Sequence, residues 1–345
     1  MAGEFKFTFG PWNIHEGADP FGPIVRASIA FGKKIRMYKK LGFDGVQFHD
    51  DDAVPDMNNL GSKQIIAKAK EVKKVLDDED LVAEFVAPRL WEDARTIDGG
   101  YTSNDPKCRT YAIERSKRAI DIANALNTDL IVLWLAREGT YIREAKDSKI
   151  AVERLVGAIN QMLEYDSKIR IAIEPKPNEP MDHAYIPTTG HAIALGLLCS
   201  DGGRVGVNIE SAHAILAGLD PSDEMGYALA HHKLWTVHLN DQNGLKFDQD
   251  KSFGSVDLRR AFNQVRILDS YDYGKKGEFV GLDVKAMRTQ KDKVAVKHLS
   301  NSREIFLKLL DISRGLDQAK MNALISGRDY EELDLYILKS LLGTG

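Results

Sequence analysis

Short β-branched or aromatic runs alternate along this chain with longer stretches whose apolar residues recur every three or four positions. The runs suit strands and the stretches suit amphipathic helices, so their alternation is the pattern of βα units on a parallel sheet. Candidate strands cover residues 5–9, 45–48, 81–87, 130–134, 170–173, 204–208, 235–239 and 279–284, eight in all. The clearest helix is Pro106–Leu126: Asp105 stands where a capping side chain belongs, and Pro106 opens the first turn. Ala112, Ala119, Ala123 and Leu126 then recur at helical spacing, with Ile113 and Ile120 beside them. Further helices are expected near 33–41, 63–76, 150–165, 190–199, 223–231, 257–265 and 294–310. Eight strands with helices between them predict an α/β chain folded as a TIM (β/α)8 barrel rather than two domains. The barrel would span 1–315, and 316–345 would form a short helical tail.

The polar residues keep the same phase. At the carboxyl ends of the expected strands stand Trp12, His49, Arg89 with Trp91, Trp134, Glu174, Glu210, His238 and Asp283. Every strand delivers a large or ionisable group at one end, and in a barrel those ends converge on the face where active sites are built.

The stretch from His238 to Asp250, HLNDQNGLKFDQD, offers one imidazole, three carboxylates and four side-chain amides. That donor set suits a hard cation with one borderline ligand, although a solvated acidic loop reads the same way. Asp248 and Asp250 sit two apart and can turn to one side. Glu174 and Lys176, in IEPKPNEP, share a face at a strand end, either as catalytic groups or as a structural ion pair. Glu210 and His213 have the Glu-x-x-His spacing of metal sites, or are a capping carboxylate and an unrelated core histidine. His49 opens HDDD, where a carboxylate can fix its tautomer, unless it is a bystander in an acidic turn. Trp12, Trp91 and Trp134 are candidates to wall an apolar chamber, or simply core residues. Arg137 and Glu138 read as an ion pair beneath a strand end.

Composition narrows the partners. The net charge is -4 and no Lys/Arg block occurs, so no nucleic-acid partner is expected. No apolar run is long enough for a membrane span, and MAGEFKFTFG lacks the layout of a leader, which points to the cytoplasm. Cys108 and Cys199 are too few for a disulfide framework and read as packing residues.

Taken together, FGPW with DPFG, FHDDD, DGGYTSND, LWLAREG, IEPKPNEP, GVNIESAHAILAGLD, LNDQNGLKFDQD and DVKAMRT resemble the shorter, class I type of xylose isomerase, in the right order over nearly the whole chain. The resemblance implies a metal-dependent aldose–ketose isomerase on a TIM barrel, with a tail that contacts a neighbouring subunit. It implies a first cation held by Glu174, Glu210, Asp283 and the residue at 238, and a second held by Glu210, His213, Asp248 and Asp250. Lys176 would contact the carbonyl-end oxygen of the sugar, and His49, oriented by Asp52, would help open the ring. Trp12 and Trp134 would line the pocket, with Phe21 reaching in from a partner subunit. It also implies a cis Glu179–Pro180 bond and a hydride shift assisted by Mn²⁺ or Mg²⁺, with Co²⁺ an option.

Three departures change the expectation. Position 238 is His where the family pattern has Asp, while Asp241 replaces a Gly. The set Glu174, Glu210, His238 and Asp283 is then similar to the single-metal site of barrel sugar epimerases, and imidazole shifts preference toward Mn²⁺, Co²⁺ or Zn²⁺. The third strand end reads RLWED, so Trp91 reshapes the pocket and Arg89 brings a charge suited to an acidic or phosphorylated sugar. The tail is short, which leaves homodimer and homotetramer open. The expected function is therefore a sugar isomerase with an altered pocket. Alternatives are a ketose epimerase or 3-oxo-glycoside lyase using enediolate chemistry, and a silent metal or sugar binder.

Overall fold

Eight parallel strands close into one barrel: β1 (Phe7–Phe9), β2 (Gly45–His49), β3 (Val82–Ala87), β4 (Leu130–Trp134), β5 (Arg170–Glu174), β6 (Val205–Glu210), β7 (Leu234–His238) and β8 (Val280–Gly281). The ring shuts where Phe7 of β1 pairs with Val280 and Thr8 pairs with Gly45. The computed structural model describes residues 5–343; residues 1–4, where the expected amino-terminal segment begins, and 344–345 of the tail lie outside the described residues. Helices cover the outside: α1 (Phe31–Lys40), α2 (Ser62–Asp78), α3 (Pro106–Leu126), α4 (Ser148–Tyr165), α5 (Thr189–Leu197), α6 (Pro221–Ala230), α7 (Leu258–Ser270) and α8 (Lys297–Gly315), followed by α9 (Gln318–Gly327) and α10 (Tyr330–Leu341). Val46, Val86, Ile131, Ile171, Val207, Val237 and Val280 are fully buried, as strands covered on both faces require.

Aspartate caps set where helices begin. Asp105, Asp147, Asp220, Asp257, Asp317 and Asp329 each accept a hydrogen bond from a backbone N–H of the first turn. Each such cap is worth about 1 kcal/mol. The expected helix 223–231 therefore starts at Pro221, next to its Asp220 cap, and 257–265 runs on to Ser270. The helix expected from 294 starts at Lys297, because Asp292–Val294 is a separate 3-10 turn. Strand 5–9 begins only at Phe7, with Phe5 packed edge-on against Phe306 of α8. The last strand, expected over 279–284, pairs only at Val280–Gly281.

Two irregularities decide what fills the barrel. Val46 and Phe48 of β2 lie opposite Ala83 and Val86, so β3 carries an extra residue and turns both Glu84 and Phe85 inward. Glu84 then accepts hydrogen bonds from Gln47 Nε2 at 3.0 Å and Thr236 Oγ1 at 2.6 Å, and from the Thr8 hydroxyl, closing a polar layer beneath the cavity. A second slip, between β6 and β7, sets Asn208 opposite Thr236 and Glu210 opposite His238. Among the described residues, no helix is long and apolar enough to cross a membrane.

Candidate metal centre

A cavity of about 240 Å³ opens at the carboxyl ends of the strands. Trp12, His49, Arg89, Trp91, Trp134, Glu174, Glu210, His213, His238, Asp248, Asp250 and Asp283 line it, with His15 and Lys285. One side is aromatic. The rings of Trp12 and His49 lie 4.2 Å apart, His49 and Trp91 5.0 Å, and Trp91 and Trp134 4.5 Å, while Trp134 stacks over His213 at 6.5 Å. A Cβ on Gly10 would fall 2.1 Å from the Trp12 ring, so only glycine lets that indole fold back over the strand end.

The other side is ionic. His238 Nδ1 lies 3.5 Å from Glu174 Oε2, 3.8 Å from Glu210 Oε2 and 3.6 Å from Asp283 Oδ2. These separations exceed a hydrogen bond. They are at or slightly beyond the roughly 3 to 3.5 Å between donors that each sit about 2.1 Å from one shared cation, so a small inward movement of these side chains would complete a cation's shell. Gly281 makes the approach possible, because a Cβ there would come within 3.0 Å of the His238 ring and 2.5 Å of the Val237 carbonyl.

Three groups of donors converge, and Glu210 belongs to each: Glu174 with His213, His238 with Asp283, and Asp248 with Asp250. Buried polar atoms are left over. Both His238 ring nitrogens, His213 Nδ1 and Asp248 Oδ1 are buried without a hydrogen-bond partner, a costly state that a cation relieves. Burial and then the neighbouring Asp248, Asp283 and Asp250 push the Glu210 carboxyl well above its ordinary range. Burial and Asp248 do the same to Asp250. Burial also works against ionised Asp248, but Lys176 and His213 outweigh it and hold that carboxyl well below the usual range. Oxygen donors plus imidazole in a charge-dense pocket fit a divalent cation.

Neutral donors orient the carboxylates. Trp12 Nε1 and Asn13 Nδ2 each donate to Asp283 Oδ1 at 2.8 Å, and Asn208 Nδ2 donates to Glu174 Oε2 at 2.7 Å. Asn240 Nδ2 reaches Glu210 Oε1 at 2.9 Å. Lys285 Nζ pairs with Asp250 Oδ2 at 2.7 Å. Sequence reading singled out neither Asn208 nor Lys285. The available signal was phase: Asn208 precedes Glu210 by two on one strand face, and Lys285 follows Asp283 by two.

Other expectations need correction or relocation. Asp241, the rival of His238 as a ligand, belongs to none of the three groups. Its carboxylate accepts from the backbone N–H of Gln242, Val256 and Asp257 at 2.7 to 3.0 Å and shapes the entry to α7. Lys176 is buried behind the cavity wall, 2.9 Å from Asp248 Oδ2 and 3.2 Å from Glu179 Oε2. Phe21 is exposed and outside its own chain's cavity, edge-on to Phe247 at 5.8 Å. Arg89 does not offer a free charge to an anion: Asp51, Asp52 and Glu92 already face its guanidinium at 2.8 to 3.3 Å. Glu138 is not paired with Arg137 but accepts from the backbone N–H of Gly100, Tyr101 and Thr102 at 2.8 to 3.0 Å, tying down the loop before α3. His49 Nδ1 lies 2.9 Å from Asp52 Oδ2. The Glu179–Pro180 peptide is cis.

Comparison with known proteins agrees with this fold. Residues 35–273 match the family model described as a xylose isomerase-like TIM barrel. Among solved structures, an apo 3-keto-D-glucoside 4-epimerase from E. coli is similar over 87% of this chain and 100% of its own, at 13% identity and a TM-score of 0.61. A D-tagatose 3-epimerase-like protein matches over 89% and 98%, at 15% identity and a TM-score of 0.62. The D-psicose 3-epimerase of Clostridium cellulolyticum H10, solved with D-tagatose, matches over 90% and 98%, at 16% identity and a TM-score of 0.60. At these identities the likeness is one of fold.

Proposed function

Because this chain belongs to the xylose isomerase-like TIM-barrel family, we propose that it is a divalent-metal-dependent sugar epimerase or isomerase that moves a proton at the carbon beside a carbonyl. The observation that carries this reading is the placement of Glu174 and Asp283. They come from β5 and from the end of β8, on either side of Glu210 and His238, and both face His238 Nδ1 at 3.5 and 3.6 Å. Two carboxylates flanking a reacting carbon can take a proton from one face and return one to the other. A Mn²⁺ or Mg²⁺ ion held by Glu174, Glu210, His238 and Asp283 would supply Lewis-acid polarisation of the sugar's oxygens, and Co²⁺ suits the same donors.

The chain's own residues do the rest. Asn208 holds Glu174 Oε2, the oxygen that faces His238, and leaves Oε1 toward His213, while Trp12 and Asn13 hold Asp283 Oδ1 and leave Oδ2 toward His238. Trp12, Trp91 and Trp134 stack on sugar C–H faces and keep water from the reacting carbon. At about 240 Å³ the cavity lies below the roughly 300–1,000 Å³ of drug-sized sites, which suits one small polyol. The substrate class we propose is a ketose or keto-glycoside, the classes named for the structural neighbours.

One observation favours a second reading, a hydride-shift aldose isomerase with two cations: Glu210, Asp248 and Asp250 form a further donor group beside His213. Against it, Asp248 and Asp250 each already have an ammonium partner. Reaction in deuterated water separates the two. Incubated with Mn²⁺ and a panel of ketohexoses, aldoses and 3-keto-glucosides, the enzyme is expected to give product carrying deuterium at the altered carbon. Product without deuterium would mean a hydride shift, and binding without product under every metal would mean a silent site.

We further propose that residues 316–345 serve subunit contact in a homodimer or homotetramer, with the partner subunit's Phe21 at the cavity mouth. Ile325, Tyr330, Leu335 and Leu338 leave apolar surface exposed on α9 and α10, the kind of patch that oligomers cover.

A further inference from the structure

His49 Nδ1 has two neighbours with opposite demands: Arg89 Nη2 at 2.6 Å and Asp52 Oδ2 at 2.9 Å. A guanidinium nitrogen carries hydrogens and accepts nothing, whereas a carboxylate oxygen only accepts. One ring nitrogen cannot serve both. The shorter contact is a hydrogen bond only if Nδ1 presents its lone pair. We infer that Arg89 is a positioning residue that fixes His49 as the neutral tautomer with its proton on Nε2, so that the cavity meets an N–H donor and not a base.

The inferred tautomer sets the bare Nδ1 against Asp52 Oδ2 at 2.9 Å with no hydrogen between them, and other donors offset that contact: Asp52 Oδ2 accepts from the His49 backbone N–H at 3.2 Å and its Oδ1 from Arg89 Nη2 at 2.9 Å. The two hydrogens on Nη2 thus serve Nδ1 and Asp52 Oδ1. Arg89 is itself held. Its Nε lies 2.8 Å from Asp51 Oδ1, its Nη1 lies 3.3 Å from Glu92 Oε1, and its backbone N–H donates to Asp50 Oδ1 at 3.1 Å. Arg115 of α3 anchors the same acidic turn through Asp50 at 2.7 Å and Asp51 at 3.1 Å. Trp12 and Trp91 flank the ring, and His15 is a further titratable group on the wall of the same cavity.

What the Nε2–H contacts rests on the proposed function: in a sugar site it would donate to a ring or hydroxyl oxygen, and proton abstraction would fall to Glu174 and Asp283. The RLWED segment then has a role besides reshaping the pocket. It takes from His49 the option of acting as a base.

The test is nitrogen-15 NMR of the full chain carrying ring-labelled histidine, with Mg²⁺ instead of paramagnetic Mn²⁺ and without sugar. The His49 signals are assigned by their loss in His49→Gln. The expected spectrum has a protonated Nε2 and a bare Nδ1 for His49, and Arg89→Met is expected to move the proton to Nδ1, against Asp52. A protonated Nδ1 in the unaltered protein overturns the inference, and so does an unchanged tautomer in folded Arg89→Met. If that variant does not fold, the unaltered protein decides alone. Failure to turn over any sugar would strike the proposed function and leave these spectra untouched.

Discussion

Lys285 and Asp250 form an ion pair 2.7 Å long beside the carboxylate cluster, and Lys285 stands two residues beyond Asp283, which faces His238. Lys176 does the same for Asp248 at 2.9 Å. Each aspartate of the Asp248–Asp250 pair therefore has its own ammonium, in the place where a second cation would otherwise be needed.

Metal stoichiometry follows. Calorimetric titration of the unaltered protein with Mn²⁺ is expected to give one tight site per chain. In Lys285→Met, the Glu210, Asp248 and Asp250 group loses a positive neighbour. A unit charge acting on a divalent ion across about 6 Å at an effective dielectric near 20 is worth several kcal/mol. A second Mn²⁺ should then bind at least about 100-fold tighter than in the unaltered protein, the full Coulomb figure of about 5 kcal/mol corresponding to roughly 10⁴-fold. Two equally tight sites before any substitution would remove the assignment.

His238 sets the choice of metal. His238→Asp restores a carboxylate and adds a negative charge, so Mg²⁺ should gain on Mn²⁺ and Co²⁺ in competition titrations. His238→Ala should weaken Mn²⁺ binding by more than the roughly 10- to 100-fold that losing a ligand's outer-shell partner costs. An unchanged Mn²⁺ affinity in His238→Ala would show that the imidazole is not a ligand.

Stability should fall in mild acid. Burial, outweighing the hydrogen bond to the Asn13 carbonyl, lowers His298 from 6.5 to about 4. A histidine kept neutral in the fold costs nothing above its unfolded value. Its stabilising share is complete above about pH 6.5 and is lost as pH falls through about 4, an amount of about 3 kcal/mol. Urea midpoints at pH 7 and pH 4.5 should differ, and His298→Leu should narrow the difference. The effect reaches the site, since Asn13 also donates to Asp283.

Thiol reactivity should be unequal. Cys199 is buried and its thiol is pushed up to about 11, while Cys108 is half-exposed. A disulfide reagent at pH 8 is expected to modify one thiol of the native protein, and the second only on unfolding. Cys108→Ser should abolish the native reaction.

Much of this was legible from sequence, for identifiable reasons. Pro106–Leu126 and Leu130–Trp134 keep their expected bounds because Asp105 with Pro106 marks a helix start, and an unbroken apolar run marks a covered strand. The phase of polar residues at strand ends brought Glu174, Glu210, His238 and Asp283 to one cavity. Register slips were not legible. The extra residue of β3 that turns Glu84 inward depends on which strand lies alongside, and no local pattern encodes that. Amides such as Asn208 carry no charge to draw notice, and the partners of Arg89 and Glu138 are fixed by loops that meet only in the folded chain.

The most direct measurement is anomalous X-ray diffraction from crystals soaked in Mn²⁺. The account predicts a peak within bonding distance of Glu174, Glu210, His238 Nδ1 and Asp283. A Mn²⁺ peak confined to Asp248 and Asp250, or a His238 ring turned from the ion with Asp241 in its place, would contradict it.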